Sequence, residues 1–125
     1  MSLCLAVAGK VTMLAATAFT LAWTHTVERI AWEEDWRWTP AGLVMAEARI
    51  KGSGAGMEPP HGAWLHDDWW HYTPNIPPQR ELVLARSAEA GGWRLCSGDD
   101  CLAIEGSAEA NPARIYQCQQ GPAAR

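Results

Sequence analysis

The stretch from residue 18 to residue 38 constrains the fold more than any other part of the chain, because large apolar residues alternate there with small or polar ones. The first run of one parity is Phe19, Leu21, Trp23, His25 and Val27. After a short polar break, the second run is Trp32, Glu34, Trp36 and Trp38. Strict alternation of this length is typical of half-buried strands, which also favour aromatic and β-branched residues. The stretch therefore predicts two consecutive β-strands.

Two strands with a short connection are expected to pair as an antiparallel hairpin. With a turn centred on Arg29 and Ile30, the facing pairs are Val27 with Trp32, His25 with Glu34, Trp23 with Trp36, and Leu21 with Trp38. A turn with Pro and Gly at residues 39–42 leads into a third strand, residues 43–51. The predicted inner face then carries two rows, His25–Glu34–Glu47 and Trp23–Trp36–Met45. A one-residue bulge would reverse these faces.

The remainder of the chain also favours short strands separated by Gly and Pro turns. Further strands are predicted within residues 62–72 and 81–87, and as a hairpin at residues 93–96 and 101–104. The predicted fold class is all-β: a single small antiparallel sandwich or open barrel built from consecutive hairpins, spanning residues 1–104. Residues 105–125 are expected to form a weakly structured tail, in which Ile115 and Tyr116 could dock.

The N-terminal residues allow two interpretations. Residues 1–23 are apolar, and Ala16-Thr17-Ala18 resembles a signal-cleavage site. However, the first basic residue is Lys10, so the charged region that opens a signal peptide is missing. A hairpin that turns at Ala8-Gly9 is the favoured interpretation. It predicts that residues 1–18 are kept and that the protein is cytoplasmic, whereas the alternative is a periplasmic protein.

Charge and hydropathy exclude two classes of partner. The formal net charge is −4 and no basic run is present, which argues against nucleic acid as a partner. No apolar run reaches the roughly 18 residues that a membrane-spanning helix needs. The sequence therefore predicts a protein that does not span a membrane, and it leaves the oligomeric state open.

Four cysteines offer limited information. Cys96 and Cys101 flank an evident turn, so they could pair in an oxidising compartment and would be reduced thiols in the cytoplasm. Zinc is disfavoured because a second closely spaced cysteine pair is absent. The other candidate metal ligands, His61, His66 and His71, are spaced by five, which places no two on one face by default. We predict neither a metal nor another cofactor.

The predicted row of His25, Glu34 and Glu47 has three interpretations. It could be a buried hydrogen-bonded pair with a structural role, since an unpaired buried group costs a few kcal/mol. It could belong to a pocket in which Trp23 and Trp36 form the walls, suited to a cationic or hydroxylated small ligand or to another chain's side chain. It could also hold a divalent ion or act as a general base, although no catalytic motif is present and we assign no catalytic residue.

The glycine-rich segment of residues 52–56 follows the third strand. It is not a phosphate-binding loop, because no Gly-Lys-Ser/Thr follows it. Gly54 and Gly56 are therefore interpreted either as the rim of the ligand pocket or as parts of a plain connector.

Two segments carry a resemblance to a known family. These are His25-Thr26-Val27-Glu28, followed by Trp32 and Glu34, and the Gly-Ser-Gly-Ala-Gly-Met segment of residues 52–57. With them, residues 3–104 resemble the bacterial domain-of-unknown-function 1850 family. Thr26 stands where Ser is common in that family, and residues beyond Ile104 have no counterpart.

Members of that family are often encoded beside tripartite ATP-independent periplasmic (TRAP) transporters with a TAXI-type binding protein. The resemblance thus implies a non-enzymatic binding or accessory protein, whose partner is a small-molecule ligand or a transporter component. The alternative is a small metal- or histidine-dependent enzyme that uses the row of His25, Glu34 and Glu47. Many relatives begin with a hydrophobic signal or anchor, whereas this chain is expected to begin with its first strand.

Overall fold

The computed structural model describes residues 2–24, 30–52, 60–86, 92–106 and 111–118. Over these ranges the regular structure is β-strand, and no helix is present that could cross a membrane. The strands are β1 (Ser2–Val7), β2 (Lys10–Leu14), β3 (Ala18–Thr24), β4 (Ala31–Thr39), β5 (Gly42–Lys51), β6 (Trp64–His66), β7 (Trp69–Tyr72), β8 (Glu81–Leu84), β9 (Trp93–Ser97), β10 (Asp100–Ile104) and β11 (Ala113–Cys118).

The strands form two antiparallel sheets that pack face to face. A four-stranded sheet has the order β2-β1-β11-β8, and a seven-stranded sheet has the order β10-β9-β3-β4-β5-β7-β6. The core between them is aliphatic and aromatic, with Leu21, Leu43, Leu95 and Ile115 almost fully buried. The predicted all-β class is confirmed, in its sandwich form.

The first hairpin is present as predicted. Strands β1 and β2 pair antiparallel around a turn at Ala8 and Gly9, whose φ angles are 51° and 83°. Strand β1 lies inside the four-stranded sheet, and Leu3 and Leu5 are only 1% and 5% exposed. These residues are therefore part of the core, as the hairpin interpretation requires.

The C-terminal region contains a strand that the sequence did not predict. Strand β11 lies between β1 and β8, with Ala113 and Ile115 fully buried. The expectation of a weakly structured tail is therefore wrong for Ala113–Cys118, and of the two residues expected to dock, Ile115 is buried in the core. Alternation in this segment is hidden, because its inward residues include a small one, Ala113, and a polar one, Gln117.

Two disulfides are formed. Cys96–Cys101 joins β9 and β10 at directly paired positions, with a Cα–Cα distance of 4.1 Å. Cys4–Cys118 joins β1 and β11 across 114 residues of sequence. Sequence spacing anticipated the first pair only, since the partners of the second lie at opposite ends of the chain.

The register of β3 against β4 differs from the prediction by four residues. Trp23 faces Trp32 rather than Trp36, Phe19 faces Trp36, and the last described pair is Thr24 with Ala31. Because a shift of four residues is even, every described side chain of β3 and β4 stays on its predicted face.

A β-bulge then reverses the predicted face of half of β5. Trp36 faces Met45 as predicted, but Asp35 faces Glu47 and Glu34 faces Ala48, which leaves Ala46 without a facing residue. Beyond the bulge, Ala48 and Ile50 point into the core and Arg49 points outward. The predicted regular register would instead have placed Arg49 among the inner tryptophans, where an unpaired charge is costly.

Candidate functional site

Glu34 is an acidic residue on the inner face of the seven-stranded sheet. It lies between Leu21 on β3 and Ala48 on β5, and both of these residues are buried. Its Oε1 accepts a 2.9 Å hydrogen bond from Trp36 Nε1. No Lys, Arg or His of the described ranges forms an ion pair with it. The alternation of β4 thus places a carboxylate in a largely apolar layer without a cationic partner.

This environment disfavours the charge on Glu34. Burial raises the pKa of Glu34 above its ordinary 4.5, and the Trp36 hydrogen bond only partly opposes the shift. The pKa of the Tyr72 hydroxyl is also raised, first by burial and then by the negative charge of Glu34. Ionisation of Glu34 therefore lowers the stability of the folded protein. Titratable groups with such shifted pKa values are often found at functional sites.

A cavity of about 450 Å³ opens beside Glu34. Its lining residues come from β4, from the connector before β8, from β8 and from β9: Glu34, Trp36, Ile76, Pro77, Gln79, Glu81, Leu82, Val83, Leu84 and Trp93. Apolar walls with a few polar groups are typical of small-ligand pockets, and the volume is in their usual range. We call this cavity the Glu34 pocket.

Trp23 lies in an adjoining aromatic cluster. Its ring stacks on Trp32, with centroids 5.5 Å apart, and approaches Trp93 at 4.5 Å. These three residues also line a second cavity of about 570 Å³, whose rim includes Glu33, Trp69 and Arg94. Trp93 lines both cavities, so the cluster adjoins the Glu34 pocket through this one ring.

The opposite face of the same sheet carries a charged cluster centred on Arg49. Arg49 binds three carboxylates: Nε to Glu33 at 3.0 Å, Nη1 to Asp35 at 2.7 Å, and Nη1 to Glu47 at 2.6 Å. His71 Nδ1 lies 3.1 Å from the same Glu47 oxygen. Its side chain is 16% exposed, as is that of Arg49. We call these five residues the Arg49 cluster.

Mutual hydrogen bonding stabilises the ionised forms in this cluster. The Arg49 hydrogen bond lowers the pKa of Asp35 below 3.8, against burial and with help from Thr20. Burial raises the pKa of Glu47, but hydrogen bonds with Arg49 and His71 outweigh it and hold the value below 4.5. The pKa of Arg49 is raised, chiefly by its hydrogen bonds to Asp35. Each ionised side chain of the cluster has an ion-pair partner within it, so the cluster has the properties of a structural network.

The structure brings together only part of the predicted site. Glu34 and Trp36 share a pocket, and Trp23 adjoins it through Trp93. Glu47 lies on the other face of the sheet because of the bulge, so the predicted Glu34–Glu47 contact is wrong. His25, Gly54 and Gly56 lie outside the described residues.

Sequence reasoning missed Arg49 as the centre of a cluster, and His71 as its neighbour. A signal was present in β5, where Leu43 and Met45 have one parity and Ala48 and Ile50 the other. Such a change of phase within an alternating strand indicates a bulge. It would have placed Glu47 and Arg49 on the outer face.

Within the described ranges, no three side chains of the His, Cys, Asp and Glu types are arranged to hold a metal ion. His66 and His71 have ring centroids 6.0 Å apart, and Trp64 stacks on His71 at 5.5 Å. The rings of Trp64, His66 and His71 therefore pack against one another at the edge of the sheet.

Replacing Glu34 by Gln is expected to stabilise the protein at pH 7 by ~1 kcal/mol, because an uncharged amide of the same shape avoids the cost of a partly buried charge. Since the folded-state pKa is raised, the wild type regains this stability as the pH falls through that pKa, and the two proteins should converge near pH 4. Urea denaturation at several pH values measures the difference. A Glu34→Gln protein that is less stable at pH 7 would show that the carboxylate has a structural role.

Comparison with known proteins identifies a family. The model of a protein family described as "Domain of unknown function (DUF1850)" matches residues 19–104. No curated protein and no solved structure matches the chain. The matched segment runs from β3 to β10 and contains both the Glu34 pocket and the Arg49 cluster. Because it covers more than half of the chain, the protein belongs to the DUF1850 family.

Proposed function

We propose that this protein is a non-enzymatic binding module whose ligand occupies the Glu34 pocket. The observation that carries the proposal is the half-buried Glu34 carboxylate, which has no cationic partner in the described chain and borders a cavity of about 450 Å³. A charge that lowers stability is retained most readily where a ligand uses it. The cavity walls would provide apolar contact area for the ligand, and the Glu34 carboxylate would fix the orientation of the ligand.

Catalysis by a row of His25, Glu34 and Glu47 is less well supported. That alternative needs these side chains to converge on one open point. Glu34 and Glu47 instead lie on opposite faces of the sheet. A binding role needs only one of them.

We further propose that the module acts in the periplasm as an accessory to a TRAP transporter of the TAXI type. One observation supports the location, and the family resemblance described above supports the role. Disulfides persist in oxidising compartments such as the periplasm, and both described cysteine pairs are bonded. The frequent placement of family members beside such transporters supports the role, as an association of neighbouring genes.

A thermal-shift screen tests the binding function. The purified protein is mixed with small amines, sugars, carboxylates and divalent metals, and Glu34→Gln is screened in parallel. A ligand present at 100 times its Kd should stabilise the wild type by about 2.7 kcal/mol. At this chain length that corresponds to a rise of several degrees in Tm.

Asp67→Asn is the matched control, because Asp67 is an exposed carboxylate remote from the pocket lining. The proposal requires a shift that Asp67→Asn keeps and Glu34→Gln loses. A shift of equal size in all three proteins would place the ligand elsewhere. If no compound shifts the wild type, the pocket does not bind ligands of these classes and the proposal fails.

A further inference from the structure

We infer that the ligand of the Glu34 pocket is a small organic ammonium ion, in which a positively charged nitrogen carries apolar substituents. The inference rests on the proposed function, since it names the chemical class of ligand for the same cavity. Three features of the described lining support it: the sign of its charges, its indole rings and its aliphatic wall.

The ionisable groups that line the pocket are acidic. They are Glu34 and Glu81, and no Lys, Arg or His is present among the described lining residues. Glu81 is neutralised by Arg114, whose Nη1 lies 2.9 Å from Glu81 Oε1. Within the described ranges, Glu34 has only the Trp36 indole as a side-chain donor. A cation would offset the cost of burying the Glu34 charge, whereas an anion would add to that cost.

Two indole rings border the cavity in fixed orientations. Trp36 is 5% exposed and is held by its hydrogen bond to Glu34. Trp93 donates its own Nε1–H to the Ala85 carbonyl oxygen at 3.0 Å. The face of a tryptophan ring attracts cations, and organic ammonium groups are recognised by such rings. Because both rings are held in place before binding, little side-chain entropy is lost when a ligand enters.

The remaining wall favours apolar substituents over hydroxyl groups. Ile76, Leu82 and Leu84 provide aliphatic surface, and Ile76 is 43% exposed in the free protein. A sugar would need several polar partners, but the polar side chains of the described lining, apart from the indole N–H groups, are those of Glu34, Gln79 and Glu81. A bare metal ion is disfavoured for the same reason, since a single unpaired carboxylate cannot complete its coordination.

Isothermal titration with three matched pairs of probes tests this inference on the full disulfide-bonded chain. Choline is compared with 3,3-dimethylbutanol, tetramethylammonium with neopentyl alcohol, and butylammonium with butanol. We expect at least one ammonium ion to bind at least tenfold more tightly than its neutral counterpart. Glu34→Gln should remove that preference, and Asp67→Asn should keep it.

The dependence on pH provides a second readout. An ammonium ion binds the ionised form of Glu34, so its affinity should fall as the pH is lowered through the pKa of that group. Binding near this pKa should also release protons, which titrations in buffers of different ionisation enthalpy detect. A neutral ligand that accepts a hydrogen bond from protonated Glu34 would show the opposite dependence.

The outcomes separate the two proposals. If no ammonium probe binds more tightly than its neutral counterpart, the ammonium inference is wrong. If sugars or alcohols then bind in a manner that depends on Glu34, the binding function stands with another ligand class. If neither these probes nor any compound of the thermal-shift screen binds, both proposals fail.

Discussion

Replacement of Cys118 by Ser should lower the free energy of unfolding by about 2–5 kcal/mol, which is the usual cost of losing a native disulfide from a small domain. Cys4 and Cys118 are separated by 114 residues, so their bond closes nearly the whole chain and strongly restricts the unfolded state. The bond also ties β11 to β1, and these strands contribute Leu3 and Ile115 to the core.

The second disulfide provides a matched comparison. Cys96 and Cys101 are separated by only 5 residues, so the loop that their bond closes is short. Loop-closure entropy assigns about 5 kcal/mol to the long loop and about 2 kcal/mol to the short one. Urea denaturation followed by tryptophan fluorescence should therefore show a larger loss for Cys118→Ser than for Cys101→Ser. Equal losses would mean that the long disulfide adds little constraint to the unfolded chain.

The strands were more predictable than their registers. Alternation placed β3, β4 and β5 because the period of two is a local property of the sequence. The faces of β3 and β4 also followed, since a shift of four residues keeps parity. The bulge at Ala46 was missed because the register was extended beyond the turn as a regular ladder, although the change of phase from Met45 to Ala48 marked it.

Contacts between distant parts of the chain were not predictable from pattern. Strand β11 joins β1 and β8 from the far end of the sequence, and its alternation is interrupted by Ala113 and Gln117. The Glu34 pocket also depends on contacts between residues that are distant in the sequence. Alternation predicted Glu34 and Trp36 on one face. Leu82 reaches them through the packing of the two sheets, and Trp93 reaches them through the pairing of β9 with β3.

The two carboxylates of the predicted row illustrate how environment decides the role of a residue. Glu47 has a guanidinium and an imidazole as neighbours, and its pKa is lowered. Glu34 has an indole N–H and apolar neighbours, and its pKa is raised. They lie on adjacent strands and differ because of one extra residue in β5. The bulge thus separates a structural ion network from the candidate binding site.

Replacement of Arg49 by Met should also destabilise the protein strongly, lowering the free energy of unfolding by about 3 kcal/mol at pH 7. The substitution keeps much of the side-chain volume but leaves Glu33, Asp35 and Glu47 close together without their shared cation. Breaking a buried ion pair from one side costs about 3–5 kcal/mol, and the partial exposure of these carboxylates reduces that figure. Arg49→Lys should cost less, because it keeps the charge and loses only the forked geometry.

The pH dependence identifies the origin of this loss. Asp35 and Glu47 have lowered pKa values in the folded state, so their contribution is present above their ordinary values of 3.8 and 4.5 and is lost as the pH falls through the folded-state values. The difference between wild type and Arg49→Met should therefore shrink in acid. Arg37→Met is the control. Arg37 is exposed and lies on the same face of β4 as Glu33 and Asp35. Its loss should lower the free energy of unfolding by less than about 0.5 kcal/mol. Urea denaturation between pH 3 and 7 measures the free energy of unfolding of the wild type, Arg49→Met and Arg37→Met. If the difference between the wild type and Arg49→Met does not depend on pH, Arg49 acts through packing of its aliphatic stem rather than through its charge.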